Sequence, residues 1–343
     1  MRFNIFRICL LLGACMSLIS PVAGQSTQSK HAPKPLFRDP IYDGAADPTV
    51  IWNSKEKKWF MFYTNRRAKD TTDGGVAWVH GTRIGIAESA DNGITWKYRD
   101  TADIKYRPDP GYTFWAPEVI SFKGMYHMYL TYVPGTFTDW NHPRDIIHLV
   151  SENLINWKYL STLKLSNHNV IDPCVLQLPN GKWRMWYNNE KDNKSIYYAD
   201  SPDLFNWTDG EKAVFDQPGE GPKVFAWKNK YWMITDVWQG LAVYRSDDLI
   251  NWVRQKNNLL QIPGKGEDDG ATGDHCDVVI SANGKAYLFY FTHPGRANSA
   301  QNTGLYDKQR SSLQVTELTE DQGILTCNRD SSTYIKLIPK TSK

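Results

Sequence analysis

Residues 172–189 read DPCVLQLPNGKWRMWYNN. A short apolar run, a Pro-Asn-Gly-Lys turn and a second run rich in aromatic residues follow one another, which is the grammar of a β-hairpin. The same order recurs four more times, as DPTVIWNSKEKKWFMFYTN from Asp47, APEVISFKGMYHMYLTY from Ala116, GPKVFAWKNKYWMITDV from Gly221 and HCDVVISANGKAYLFYF from His275. A second family of segments trails the first four hairpins: IGIAESADNGITW, IIHLVSENLINW, IYYADSPDLFNW and LAVYRSDDLINW, closing on Trp96, Trp157, Trp207 and Trp252. Each adds a strand, a Ser-x-Asp/Asn turn and a strand led by tryptophan, so hairpin and trailer together make four strands. The anchors at 47, 116, 172, 221 and 275 are spaced by 69, 56, 49 and 54 residues. Repeats of about 40–50 residues with four strands apiece are propeller blades. The sequence therefore predicts an all-β, five-bladed β-propeller with four-stranded antiparallel blades, in one domain over residues 37–340.

Composition agrees and removes some functions. Hydrophobic residues at 41 % and charged residues at 22 % are ordinary for a globular chain. Aromatic residues reach 13 %, with 14 Trp and 18 Tyr, which suits rings stacked on sugars and equally suits aromatic strands of a β core. A net charge of +3 without any Lys/Arg run argues against a nucleic-acid partner.

The N-terminus reads as an address rather than as fold. MRFNIFR is basic, ICLLLGACMSLIS is apolar and too short to span a bilayer, and PVAGQ offers small residues for cleavage near Gly24. Residues 1–24 are thus expected to be a signal peptide, the mature chain to be periplasmic or extracellular, and no transmembrane segment to remain. LLGAC also resembles a lipobox with Cys15 as the lipidated residue, but the apolar run continuing past Cys15 favours the signal peptide. Cys174, Cys276 and Cys327 stay in the mature chain, too few for a disulfide framework, and are expected as buried thiols.

Aligned on their anchors, Asp47, Ala116, Asp172, Gly221 and His275 head the first strand of each blade, with Glu220 one residue before its anchor. First strands line a propeller's central channel, so Asp47, Asp172, Glu220 and His275 should converge at one mouth. An Asp before Pro is also a common turn opener. Three acids arriving together are costly to desolvate, and that cost points to function.

These residues carry a resemblance. The series ADPTV, FWAPEV, IDPCV, GEGPKVF and GDHCDVV resembles glycoside hydrolase family 43, whose members are five-bladed propeller enzymes, over roughly Phe37 to Leu325. The resemblance implies a glycosidase acting on arabinofuranosyl, xylosyl or galactosyl linkages. It implies Asp47 as general base, Asp172 as the residue that tunes the acid and orients substrate, and Glu220 as general acid. His275 matches a histidine that often helps hold a metal ion or water in the channel, so a structural calcium or other ion is expected there. No cofactor is required for the chemistry. Two departures leave the subfamily open: Glu118 stands where the blade-two acid is commonly Asp, and HCD replaces a more usual small residue after the His. Arg310 matches an arginine that contacts substrate from the last blade, and Arg296 in HPGR is its rival.

The chemistry itself asks for one carboxyl to protonate the leaving oxygen and one carboxylate on the other face of the sugar. Direct attack by water inverts the anomeric centre and needs about 6.5–9.5 Å between them. Acids from blades one and four, across a channel, suit that wider spacing. Glu220 then has to stay protonated near neutral pH, with Asp172 as the neighbouring negative charge. Trp115, Trp238 and Tyr112 are candidates for a sugar platform, and Glu118 is a further substrate-binding candidate. The insertion TNRRAKDTTDGGVAWVHGTR in blade one should cover one rim; Arg66 and Arg67 in it read as a solvated basic loop that alternatively meets an acidic sugar. SADNGITW resembles the Asp-box of sialidase propellers and is read as a structural turn. His80, His127, His142, His148, His168 and His293 show no ligand spacing for a catalytic zinc. The alternative to a hydrolase is a non-catalytic propeller that binds glycans. Either way the expected partner is a carbohydrate and the expected state a monomer.

Overall fold

The computed structural model describes Met1 and residues 31–214, 216–297 and 304–340. The predicted signal peptide, apart from Met1, and Cys15 lie outside these residues. Five antiparallel sheets follow one another along the chain. Blade 1 is Ala45–Asn53, Lys58–Asn65, Arg83–Ser89 and Lys97–Thr101; blade 2 is Thr113–Phe122, Met125–Val133, Asp145–Ser151 and Asn156–Thr162. Blade 3 is Val170–Gln177, Trp183–Asn189, Ser195–Ser201 and Thr208–Val214; blade 4 is Glu220–Trp227, Lys230–Asp236, Leu241–Ser246 and Val253–Arg254. Blade 5 is Asp274–Ile280, Ala286–Thr292, Ser312–Asp321 and Ile324–Cys327. The expected architecture is the observed one, with one addition: Asp103–Lys105 joins blade 2 as a fifth strand, parallel to Asn156–Thr162. Among the described residues, α-helix is confined to Leu305–Gln309, and no helix is long and apolar enough to cross a membrane.

The packing follows from the period of two along each second strand. In blade 1, Phe60 and Phe62 point toward blade 2, where they meet Phe114, Met128 and Leu130. Trp59, Met61 and Tyr63 point the other way, toward Tyr287 and Phe289 of blade 5. The same division repeats between blades 2 and 3, 3 and 4, and 4 and 5, so each blade face buries apolar side chains against the next. Fourth strands such as KYRDT and TDGEKAV cover nothing outside them and are largely polar. Both chain ends close the ring. Phe37 pairs with Leu313 of blade 5, and Leu337 donates its N–H to Asn92 of blade 1 while Ile338 donates to Ser281 of blade 5.

The trailing turns explain the Ser-x-Asp/Asn motif. Ser201 Oγ accepts the N–H of Leu204, and Asp203 accepts those of Phe205 and Asn206. Ser246 and Asp248 do the same for Leu249, Ile250 and Asn251, as do Ser151 and Asn153 in blade 2. These N–H groups hold Asp203 down at about 2. The Asp-box-like copy in blade 1 is likewise a turn, with Ser89 and Asp91 binding Gly93 and Thr95. Cys174 and Cys276 are buried and Cys327 is half-buried, all as free thiols.

Candidate active site

Every first strand breaks register at its anchor: at Asp47-Pro48, Ala116-Pro117, Asp172-Pro173 and Gly221-Pro222, and around His275. Two residues there oppose one, which bends the strand and re-aims a side chain. Asp47, Ala116, Asp172 and Gly221 all take a positive φ, of 51°, 43°, 57° and 55°. Holding three non-glycine residues in that region stores strain of about 1–3 kcal/mol each, and such strain clusters at functional sites. Glycine at 221 has a second reason. A Cβ there would stand 2.6 Å from Cγ of His275, so the close approach of that ring requires its absence.

The bulges open onto one pocket of about 960 Å³, lined among others by Asp47, Asp172, Glu220, His275, Trp115 and Trp238. All four residues expected at the channel mouth are therefore brought together. Asp47 is held by Arg66, whose Nη2 lies 3.0 and 3.2 Å from its two oxygens, and His275 Nδ1 stands 3.6 Å away. Asp172 accepts the N–H of Gly221 at 3.0 Å, so it grips the backbone beside Glu220. Burial pushes the Asp172 carboxyl well above the usual range, with Glu220 and Asp47 adding to the effect. Glu220 pairs with Lys194 at 3.2 Å, and Lys194 also holds Glu190 at 3.0 Å. Glu190 in turn binds Arg144 at 2.9 Å.

Several of these groups were not predicted. Arg66 is no solvated loop residue; it reaches inward to Asp47 and His293 and lies over Phe291. Arg67 folds back on the insertion, to the carbonyls of His80 and Ala77 and to Asp70. The insertion does cover the rim, for Trp78 and Val79 line the pocket and Trp115 Nε1 donates to Val79 O. Asp236 lies opposite Glu220 across the blade-4 hairpin and accepts the N–H groups of Trp238 and His275. Burial, with Asp274 and Glu220 nearby, drives it well above its usual range. Burial pushes Asp274 up to about 7 against the pull of Arg66 and Arg296.

Three expectations are corrected. Glu118 does not reach the pocket lining: it is buried, accepts the N–H of Val175 and binds Lys223 at 3.0 Å. Lys223 also binds Asp277 at 2.7 Å, and Asp277 accepts the N–H of Val50. One ammonium and two carboxylates thus link the first strands of all five blades. Burial opposes the Lys223 charge, but Asp277 and Glu118 outweigh it and hold the lysine well above its usual range. Arg310 is likewise absent from the lining, because its guanidinium is spent on Asp268 at 2.7 and 2.8 Å, whereas its rival Arg296 does line the pocket. Tyr112 is buried outside the pocket, with Arg83 stacked on it at 4.4 Å. Of the predicted aromatics, Trp115 forms a buried wall and Trp238 is an open platform, 46 % exposed. Trp140, unpredicted, adds a second open ring at 52 %.

The ion expected at His275 does not fit the residues present. Among the described residues no group of three or more His, Cys, Asp or Glu is arranged to hold a metal. His275 offers one ring nitrogen near a single Asp47 oxygen, and burial lowers its pKa. The other histidines do different work: His127 and His148 stack on each other, and His168 pairs with Asp145.

A five-bladed propeller with a carboxylate-lined pocket at the heads of its first strands is the class of protein that this fold and site define. No protein-family model matches the sequence, and no curated protein matches it either. Solved structures do. A thermostable family-43 glycoside hydrolase aligns over 87 % of this chain and 97 % of its own, with a TM-score of 0.65 at 18 % identity. A family-43 β-1,3-galactosidase with galactodeoxynojirimycin aligns over 86 % and 97 %, with a TM-score of 0.63 at 16 % identity. A family-43 β-xylosidase/α-arabinofuranosidase from a compost microbial metagenome, in complex with xylotriose and in calcium-free form, aligns over 87 % and 96 %, with a TM-score of 0.60 at 17 % identity. The chain has the fold of these family-43 structures along nearly their whole length.

Proposed function

We propose that this protein is an exported glycoside hydrolase that cleaves arabinofuranosyl, xylosyl or galactosyl linkages of polysaccharides or oligosaccharides with inversion, acting as a monomer. The observation that carries the reading is the convergence of Asp47, Asp172 and Glu220, from three blades, in one pocket walled by Trp115 and flanked by Trp238. The family-43 neighbours, among them a galactosidase and a xylosidase/arabinofuranosidase, support the reaction class and the range of sugars. Asp47 is the base: Arg66 fixes its carboxyl group in place for taking a proton from water. Glu220 is the acid for the leaving oxygen. Asp172 positions it through the Gly221 N–H, with its own carboxyl pushed well above the usual range by burial.

The test is a screen of aryl glycosides and of arabinan, xylan and galactan oligosaccharides, with wild type and Glu220→Gln. General acid catalysis contributes about 10²–10⁴-fold. Glu220→Gln should lose that much on natural linkages and far less on activated aryl glycosides, and a loss below about tenfold would remove Glu220 from the role. The ion pair between Lys194 and Glu220 favours a second reading, a glycan-binding propeller in which Glu220 accepts sugar hydroxyls. Oligosaccharides bound by the wild type but left intact would establish it.

A further inference from the structure

A proton donor held by an ammonium poses a problem for the reaction proposed above. Among the described residues, Lys194 is the one cation in contact with Glu220. It stands on the tight turn between the second and third strands of blade 3, with its own φ at 52°. Its backbone carbonyl accepts the N–H of Gly219, so the turn is fastened beside Glu220 whatever the side chain does. The side chain itself is 35 % exposed and has three neighbours: Glu220 at 3.2 Å, Glu190 at 3.0 Å and the Trp238 ring at 5.2 Å. The other charged groups near Glu220 are Asp172 from blade 3, Asp236 on its own blade, and Asp274 and His275 from blade 5. Asp47 with Arg66, and Arg144, Lys191 and Arg296, also belong to the charged lining.

We propose that Lys194 is an exchangeable counter-ion for Glu220, a positioning residue that couples sugar binding to protonation of the acid. This rests on the reading of Glu220 as general acid. In the free protein the ammonium pairs with Glu220 at 3.2 Å and lies 5.2 Å from the centroid of the Trp238 ring. A sugar ring stacked on that side of Trp238 and the ammonium cannot occupy the same space. Glu190 already holds Lys194, so the ammonium withdraws without losing its partner. Glu220 then loses the opposite charge that favours its ionised form, and takes a proton from solvent. In the reaction that proton passes to the leaving oxygen as the glycosidic C–O bond breaks, with the bonding pair going to that oxygen. Water bonds to the anomeric carbon and yields its proton to Asp47. Glu220 ends as a carboxylate, Lys194 returns to it, and Asp47 releases its proton to solvent.

The experiment compares wild type, Lys194→Met, Lys194→Gln and Lys194→Arg. The side-chain carboxyl of Glu220 is followed by NMR in protein labelled with ¹³C at the glutamate carboxyl, its signal assigned by its loss in Glu220→Gln. Titrations are run alone and with arabinose, xylose or galactose, and kcat/KM on the oligosaccharide that wild type cleaves is measured against pH. An opposite charge in contact shifts a carboxyl by about 1–3 pH units, and partial exposure places Lys194 at the low end. In wild type, sugar should move the Glu220 midpoint up. In Lys194→Met and Lys194→Gln the midpoint should already lie about one pH unit higher without sugar, sugar should add nothing, and the basic limb of kcat/KM should move up equally. Lys194→Arg should restore wild-type behaviour. An unmoved midpoint in Lys194→Met, or a sugar-induced shift of wild-type size in it, overturns the proposal. Full hydrolysis of natural linkages by Glu220→Gln would instead overturn the assignment of the acid, while the carboxyl titration would still decide what Lys194 does.

Discussion

Replacing Lys223 by methionine would take away the one cation that joins Glu118 to Asp277. Methionine fills a similar volume, so the change tests charge more than packing. Removing one partner of a buried ion pair costs about 3–5 kcal/mol, because the other partner is left uncompensated. Here two carboxylates would remain, 7 % and 4 % exposed by side chain, with the N–H groups of Val175 and Val50 as partial compensation. The melting temperature should drop by about 6–10 °C, taking about 2 °C per kcal/mol for a chain of this size. The loss should also depend on pH. Burial already raises Glu118, and without the ammonium it rises further. A carboxyl whose folded pKa lies above its unfolded value gives stability that is complete below the unfolded pKa and disappears as pH rises through the folded one. Lys223→Met should therefore be least damaging near pH 4–5 and most damaging at pH 8 and above. Urea unfolding at pH 5 and pH 8 measures both quantities. The triple variant Lys223→Met, Glu118→Gln, Asp277→Asn should recover much of the loss, since it leaves no buried charge. A loss below about 1 kcal/mol at pH 8, or one equal at both pH values, would refute the idea that this ammonium pins the blades.

Other consequences are open to the same kinds of measurement. With its folded pKa pushed up to about 7, Asp274 gives stability that is complete below pH 4 and lost as pH rises through 7; Asp274→Asn should gain on wild type in urea unfolding between pH 4 and pH 8, and a constant difference would contradict this. Gly221→Ala places a Cβ 2.6 Å from the His275 ring at a φ of 55°, so a stability loss of about 1–3 kcal/mol and a fall in kcat are expected, and an unchanged melt would show that the bulge relaxes freely. Asp47→Asn should lower activity on every substrate, activated aryl glycosides included, with little rescue by azide, and the first product of the wild type seen by NMR should be inverted; a retained product would make Asp47 a nucleophile or move the base elsewhere.

The fold was legible because its signals are local. Hairpin turns, alternating apolar residues and the Ser-x-Asp/Asn turn each lie within a few residues, and five repeats in order left few other architectures. The fifth strand of blade 2 was not legible. Asp103–Lys105 is three residues long, joins the outer edge in parallel and carries no turn of its own, since Ile155 O accepts its first N–H from across the sheet.

The site was half legible, and its missing half has a physical cause. Anchoring the blades on their first strands found Asp47, Asp172, Glu220 and His275 because three of those side chains sit at one repeating position and Glu220 one residue before it. The residues just past the second strands repeat as well: Arg66, Glu190 and His293 directly follow strands ending at Asn65, Asn189 and Thr292, Trp238 stands two residues past Asp236, and all four line the pocket. Read in register, they would have moved Arg66 from a solvated loop to the partner of Asp47. What no single repeat position reveals is charge balance. Glu118 reads as a site acid because it shares a strand with the pocket, yet it lies two residues beyond Ala116, where Lys223, shared with Asp277, claims it. Arg310 reads as a substrate contact until Asp268, from a loop more than forty residues earlier, takes both its terminal nitrogens. In each case the deciding partner comes from a different blade or a distant loop. A charged side chain near a propeller's axis acquires its role from the side chain that reaches it across the ring, and that distance is set by closure rather than by sequence.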